Sequence, residues 1–213
     1  GVNKARNLGI EQANGDILLF LDDDVELEPE TLRRHIEFHR AHLEISGLGG
    51  SYALPPNPSP LAFAYHVQAM GWLQRFLRAG GSCPFLVGGH ASYKRDVFDS
   101  GLRFDPAIAF GGAEAEFNLR LWRSGRKLVY DPALAVRHHV EISWKDLFRK
   151  AYLQGRHSRT RTEALGSPPP AYRQEDAMEI VREREPVDLG GNLQVRLAWA
   201  LYQWAFRRGW HSP

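Results

Sequence analysis

An apolar run that ends in three aspartates constrains the fold more than any other feature of this sequence. The run Ile17–Leu21 contains only apolar residues and is followed directly by Asp22, Asp23 and Asp24. A run of this length suits a strand that is buried on both faces, as in a parallel sheet. Adjacent carboxylates repel one another and resist the loss of water. The pattern therefore predicts acids at the carboxyl end of a strand, where open α/β sheets bind ligands.

Helix and strand patterns alternate along most of the chain, which predicts an α/β fold. The predicted helices cover about residues 4–14, 29–45, 60–78, 113–124, 143–162 and 192–208, and the predicted strands cover 17–21, 47–54, 85–92, 128–130 and 134–136. Leu32, Ile36 and Leu43 share one face of the second helix. We predict one domain over residues 1–162, followed by a linker and an amphipathic helical extension over residues 163–213.

Charge and cysteine content exclude several classes of protein. The chain has 27 Lys and Arg against 25 Asp and Glu, a net charge of +2 that gives no reason to expect a nucleic-acid partner. Cys83 is the only cysteine, so a disulfide scaffold is excluded and a reducing compartment, the cytoplasm, is expected. No apolar run reaches the roughly 18–20 residues that span a bilayer. Because the chain opens at Gly1 without a methionine, we expect it to be part of a longer sequence.

The acid triplet has the composition of a metal–diphosphate site. Mg²⁺ and Mn²⁺ bind carboxylate oxygens and usually share them with substrate phosphates. One alternative is a solvated acidic loop that favours the positive N-terminus of the next helix. Another is a resemblance to the haloacid-dehalogenase-like phosphohydrolases, which would use Asp22 as a nucleophile together with Asp24. Those enzymes also need a second acidic pair after a strand, and the sequence offers no convincing one.

Four segments, in order, resemble the family 2 inverting glycosyltransferases, which have the GT-A nucleotide-diphospho-sugar transferase fold. They are residues 3–24, the Gly-Gly segment 88–98, the helical segment 111–121, and Tyr130-Asp131-Pro132 followed by His138. The resemblance covers about residues 1–160 and implies a Rossmann-like, mostly parallel sheet flanked by helices. The β-α-β unit that opens the family's domain and holds the nucleobase has no counterpart here. The resemblance therefore implies a domain that is incomplete at its N-terminus.

The resemblance also implies roles for individual residues. Those expected to bind a nucleotide-diphospho-sugar donor are Arg6, Asp22, Asp23, Gly88 and Gly89. Those expected to hold a divalent metal, Mg²⁺ or Mn²⁺, are Asp24 and His138, and those on the acceptor side are Glu116 and Asn118. Each has a plainer alternative, such as a solvated helix face for Arg6, a surface position for His138 and a helix salt pair with Arg120 for Glu116.

Glu114 is the expected catalytic base. It matches the Asp of the family's Glu-Asp motif, although the sequence reads Ala113-Glu114 and glutamate is longer than aspartate by one methylene. Inversion requires a base that removes the acceptor hydroxyl proton while the anomeric carbon is attacked. The alternative is an acid that stabilises the N-terminus of its own helix.

The C-terminal segment 192–208 combines aromatic residues with arginines and has no acid. Leu193, Leu197, Leu201 and Trp204 recur at helical spacing. This composition suits a helix that lies in a membrane interface. Packing against the parent domain or a partner subunit is the alternative.

The function that these features predict is metal-assisted, inverting sugar transfer from a nucleotide donor. The expected acceptor is a glycan or a lipid-linked molecule of cell-envelope glycan synthesis, and the expected location is the cytoplasm, at the inner face of the cell membrane. The alternatives are the phosphohydrolase above and a non-catalytic fragment or interaction module.

Overall fold

The computed structural model describes residues 1–77, 85–108, 113–165 and 191–212. Seven helices and five strands lie in these residues. The helices are α1 (Val2–Gln12), α2 (Thr31–Ala41), α3 (Pro60–Leu77), α4 (Asp96–Asp99), α5 (Ala113–Arg123), α6 (Trp144–Leu165) and α7 (Leu193–Trp210). The strands are β1 (Ile17–Leu21), β2 (Val25–Glu26), β3 (Ile45–Ala53), β4 (His90–Lys94) and β5 (Lys127–His138).

The five strands form one sheet in the order β1-β4-β3-β5-β2, and the predicted α/β class is confirmed. The expected predominance of parallel strands is wrong for the described sheet, because only β3 and β5 run parallel. The pairings β1–β4, β3–β4 and β2–β5 are antiparallel. An apolar run indicates that a strand is covered on both faces, but it does not encode the direction of its neighbours.

Two compact units make up the chain. The first contains residues 1–53 and 76–138, which include the sheet, and the second contains residues 54–75 and 139–213. The predicted division at residue 162 stays a prediction.

The core that supports the carboxyl end of β1 is aromatic. Phe104 stacks on Phe117 with ring centroids 4.2 Å apart, and Phe20 and Tyr93 pack edge-on beside them. Phe117 lies on the buried face of α5 and is fully enclosed. Because burial of each such ring contributes about 1.5–3 kcal/mol, α5 is held firmly against the sheet.

The buried face of α2 differs from the apolar face that the sequence indicates. Leu32 and Ile36 are exposed, whereas Thr31, His35 and His39 face the interior. The reason lies in β4, which presents polar side chains to this helix. A buried polar side chain is tolerated when it is hydrogen-bonded, and His35 and His39 both bond to the Ser92 hydroxyl.

The buried histidines form a hydrogen-bonded chain whose tautomers follow from the geometry. His90 Nδ1 lies 3.2 Å from the Ser51 carbonyl oxygen and must therefore donate, which leaves His90 Nε2 as an acceptor. His35 Nε2, 3.1 Å away, donates to it, and His35 Nδ1 then accepts from the Ser92 hydroxyl at 2.8 Å. The Ser92 oxygen accepts in turn from His39 Nε2 at 2.8 Å. All three rings are neutral in this arrangement.

The stability of the first unit is expected to fall as the pH drops below about 6.5, because burial lowers the pKa of His35 to about 3 and those of His39 and His90 to about 4. Between these values and 6.5 the unfolded chain binds more protons than the folded one. Each histidine should add about 1.4 kcal/mol per pH unit to the slope of the unfolding free energy. Urea denaturation at pH 7.5 and 5.5 measures it.

The variant His39→Gln keeps a donor toward Ser92 and should reduce that slope by about one proton. His42→Gln, at an exposed position just beyond α2, is the matched control for the loss of a histidine. Equal slopes for the two variants would contradict the assignment.

The second unit is built from α3, α6 and α7. Its core includes Phe63, Val67, Leu147, Trp199 and Tyr202. The helix predicted over 192–208 is confirmed as α7, whose first turn is capped by the Asn192 side chain. The predicted linker falls largely on residues 166–190, which lie outside the described residues.

Two glycines set the approach of α6 to α7. A Cβ at Gly155 would overlap the carbonyl of Phe206, and one at Gly209 would overlap the carbonyl of Tyr152. The helices therefore touch backbone to backbone, and one face of α7 packs inside its own unit. Among the described helices, none is long and apolar enough to cross a membrane.

Candidate active site

The acid triplet lies in the turn between β1 and β2. Asp22 directly follows β1, and its backbone N–H donates to the carbonyl of Gly89 at 3.1 Å. Its Oδ2 accepts a hydrogen bond from the Tyr52 hydroxyl at 2.8 Å. Asp23 is exposed, whereas Asp22 and Asp24 are half-buried. Two of the three acids are thus turned toward neighbouring strands, and the middle one faces solvent.

The pairing of β2 with β5 brings His138 to the acid triplet. Val25 pairs with His138 in the ladder, and His138 Nε2 lies 3.2 Å from Asp24 Oδ1. The Tyr52 ring stacks on the imidazole with centroids 4.3 Å apart. The sequence places these groups far apart along the chain, so the sheet register is what assembles them.

Asp22, Asp24 and His138 offer three ligand atoms that all lie within 4.8 Å of one another. This is the sole group of three possible ligands among the residues that the structure describes. Two carboxylate oxygens and one imidazole nitrogen suit Mn²⁺, and Mg²⁺ accepts the same oxygens. The donor set therefore fits a divalent metal that completes its coordination with water or phosphate.

Gly88 and Gly89 make room for the side chains of the site. A Cβ at Gly88 would overlap the Glu114 side chain, and a Cβ at Gly89 would overlap the Asp22 carboxylate and the Tyr52 hydroxyl. Both glycines are therefore required by the packing of the protein itself. Their expected contact with a donor stays a prediction.

Glu114 lies in the first turn of α5, whose buried face holds it in place. Its Oε1 accepts a hydrogen bond from Arg6 Nη1 at 2.9 Å. Arg6 comes from α1, and its Nη2 lies 3.9 Å from Asp22 Oδ1. The guanidinium also sits over the Phe104 ring, 5.3 Å from its centroid. Arg6 is thus not a solvated helix residue, because it lies between the two carboxylates.

The acceptor-side role expected of Asn118 stays a prediction, and its observed position is in the core. Asn118 is fully buried, accepts a hydrogen bond from the Tyr93 hydroxyl at 2.7 Å and donates to the Leu86 carbonyl at 3.4 Å. Burial raises the pKa of Tyr93, which keeps the hydroxyl a donor. Asn118 therefore provides the hydrogen-bond acceptor that the buried Tyr93 hydroxyl needs.

Glu116 adopts the alternative role left open by the sequence. Arg120 holds it in a two-pronged ion pair, with Nε 2.5 Å from Oε1 and Nη2 2.9 Å from Oε2. The pair spans one turn of α5. Gly111 and Gly112 of the same motif lie outside the described residues.

Sequence reasoning missed Tyr52, Asn3 and Asn7. Tyr52 joins Asp22 to His138, as described above, and no local pattern marks it. Asn3 Nδ2 donates to the Asp105 carbonyl at 2.7 Å. Asn7 exchanges two hydrogen bonds with the backbone of Phe104, at 2.8 and 3.0 Å. The spacing of Asn3, Arg6 and Asn7 on one helix face was the available signal.

Comparison with known proteins points to the family that the sequence resembles. Residues 1–102 match the family model described as glycosyl transferase family 2. No curated protein matches the sequence.

Two solved structures share the fold. The mannosyltransferase PcManGT from Pyrobaculum calidifontis, in complex with GDP-Man and Mn²⁺, matches with a TM-score of 0.55 and 15% identity over 98% of this chain and 63% of its own. A mycobacterial protein matches with a TM-score of 0.51 and 15% identity over 80% of this chain and 53% of its own.

The chain spans less than two thirds of each of these structures. At such low identity the likeness shows the fold alone, and the family model matches residues 1–102, just under half of the chain. The phosphohydrolase alternative finds no support in the comparisons, since the family model that matches is that of a glycosyl transferase. Residues 1–102 are thus similar to glycosyl transferase family 2, and the fold of the chain is that of the GT-A glycosyltransferases.

Proposed function

We propose that this protein transfers a sugar, with inversion and with the help of a divalent metal, from a nucleoside-diphosphate donor to an acceptor hydroxyl. The observation that carries the proposal is the meeting of a possible metal site with a carboxylate on the neighbouring helix. The possible metal site consists of Asp22, Asp24 and His138. The carboxylate is that of Glu114, and Arg6 lies between Glu114 and Asp22. The complex of PcManGT with GDP-Man and Mn²⁺ supports this choice of donor and metal.

The metal-side residues would bind the diphosphate end of the donor. Asp24 and His138 would hold Mn²⁺ or Mg²⁺, with Asp22 beside them. A bound divalent ion supplies positive charge that stabilises a leaving diphosphate without proton transfer. Asp23, which faces solvent, and the Gly88-Gly89 turn complete the proposed donor side.

Glu114 would be the general base. Its carboxylate takes the proton of the acceptor hydroxyl while that oxygen forms a bond to the anomeric carbon. The bond from this carbon to the diphosphate oxygen breaks on the opposite face, so the anomeric configuration inverts. The proton ends on Glu114, and the electron pair of the broken bond leaves with the nucleoside diphosphate.

A transfer assay with the full-length protein tests this function. The protein would be incubated with Mn²⁺ and a panel of uridine and guanosine diphospho-sugars, and both nucleoside diphosphate and the anomeric configuration of the product would be measured. Donor-dependent transfer with inversion supports the proposal. Hydrolysis of phosphate monoesters instead would favour a phosphohydrolase, and no turnover with any donor would favour a non-catalytic module.

We also propose that α7 makes peripheral contact with an anionic membrane, at the cytoplasmic face of the cell membrane, where a lipid-linked acceptor of envelope glycan synthesis would be met. Leu193, Leu197 and Trp204 are exposed on the face of α7 opposite its packed side. The charged residues of α7 are Arg196, Arg207 and Arg208, and the guanidinium of Arg208 lies over the Trp204 ring. Apolar side chains flanked by cations suit a layer of anionic headgroups.

Sedimentation with anionic vesicles is expected to capture the protein, and Trp204→Ser should weaken binding by about tenfold or more because it removes an aromatic side chain that would be buried in the lipid interface. Trp122→Ser is a matched control, since Trp122 is 47% exposed and Trp204 51%, but Trp122 lies in the other unit. Binding should also weaken at high salt. Capture that is insensitive to both salt and Trp204→Ser would contradict the proposal.

A further inference from the structure

Arg6 is held by the protein itself, in a position that does not depend on a bound donor. Its side chain is only 10% exposed. On the same face of α1, Asn3 and Asn7 fasten the helix to the backbone of residues 104–108. The Phe104 ring supports the guanidinium from one side. The orientation of Arg6 is therefore fixed by the fold.

The two carboxylates beside Arg6 are held unequally. Glu114 Oε1 lies 2.9 Å from Nη1, within hydrogen-bond distance, whereas Asp22 Oδ1 lies 3.9 Å from Nη2, which leaves only charge attraction. An arginine remains charged at any ordinary pH. Its main structural partner is thus Glu114, and its attraction for Asp22 offsets the repulsion between the two acids.

Gly88 forms the opposite side of the Glu114 site. Because any Cβ there would overlap the Glu114 side chain, the carboxylate has little space to turn away from Arg6. The Glu114 side chain is consequently confined between the Arg6 guanidinium and the backbone turn at Gly88. Confinement of this kind orients a reacting group, and misplacing a reacting group by about 1 Å can lower the rate by about 10²-fold.

We infer that Arg6 is a positioning residue that acts through Glu114, and that it is not a ligand of the donor as the sequence resemblance implies. The inference rests on the proposed function of Glu114 as a base. It separates two roles that kinetics can distinguish. A donor ligand contributes to the affinity for the nucleotide sugar, whereas a residue that aims the base contributes to the chemical step.

The test compares Arg6→Gln, Arg6→Lys and the wild-type protein by kcat, by donor KM and by calorimetric affinity for Mn²⁺ with nucleoside diphosphate. We expect Arg6→Gln to lower kcat by about 10²-fold, with donor KM and diphosphate affinity unchanged. Arg6→Lys keeps the charge and one donor group, so it should recover part of kcat. In a Glu114→Gln background, Arg6→Gln should cause little further loss.

Arg126→Gln is the matched control, because Arg126 also pairs with a carboxylate of the first unit, Asp96, at 2.8 Å. Arg126→Gln should remove a similar ion pair without lowering kcat. If the wild type transfers sugar but Arg6→Gln weakens the diphosphate affinity and leaves kcat unchanged, this inference is wrong and the proposed function stands. A fully additive double variant leads to the same conclusion. A wild type without transfer overturns the proposed function and this inference with it.

Discussion

Replacing Glu114 with glutamine is expected to lower the rate of sugar transfer by about 10²-fold or more, because general-base catalysis is worth about that much. The amide has nearly the shape of the carboxylate, and its oxygen can still accept the hydrogen bond from Arg6 Nη1. It cannot take the proton of the acceptor hydroxyl. The fold and the binding of Mn²⁺ with nucleoside diphosphate should therefore persist, while single-turnover transfer slows.

Two further variants make the assignment of the base specific. Glu37→Gln removes a carboxylate that pairs with Arg33 at 2.7 Å on the exposed face of α2, and it should leave transfer unchanged. Glu116→Gln removes the acid two residues after Glu114, which Arg120 already holds. If Glu116→Gln abolishes transfer and Glu114→Gln does not, the base has been placed at the wrong position.

The elements nearest the site were the ones that local sequence could predict. The apolar run of β1 and the acids that follow it are adjacent along the chain, so hydrophobic pattern and charge identify both. The exposed and buried faces of α2 were inverted, since buried histidines score as polar unless the partners on β4 are known. The direction of β4 could not be predicted either, because the sequence of an apolar strand is the same whether its neighbours run parallel or antiparallel to it.

Contacts that depend on sheet register carried no local signal. Tyr52 reaches Asp22 and His138 because β3 lies parallel to β5, with Tyr52 opposite Val136. Asn118 follows Glu114 by one helical turn, which suggested a shared site. Its side chain instead meets the hydroxyl of Tyr93, a buried donor that needs a partner in the core. The family resemblance assigned expected roles to residues, and the packing determines what each of them contacts.

Removal of the Asp24 carboxylate is expected to have the other large effect, a loss of at least about 10² in affinity for Mn²⁺ with nucleoside diphosphate. Disturbing residues around a metal ligand already costs about 10- to 100-fold, and loss of a ligand itself should cost no less. Three ligand atoms from Asp22, Asp24 and His138 leave coordination positions open. The metal alone should therefore bind weakly and should bind tightly only when diphosphate oxygens are present.

Calorimetry on the full-length protein separates these cases by titrating Mn²⁺ with and without guanosine or uridine diphosphate. Asp99→Ala removes an exposed acid of α4 and is the control for a simple change of charge. Tyr52→Phe should give an intermediate loss, because it removes the 2.8 Å hydrogen bond to Asp22 while it keeps the aromatic ring beside His138. Unchanged affinity in Asp24→Ala would place the metal elsewhere. The pairing of β2 with β5 would then bring Asp24 and His138 together only as a contact between the two side chains, in which His138 Nε2 lies 3.2 Å from Asp24 Oδ1.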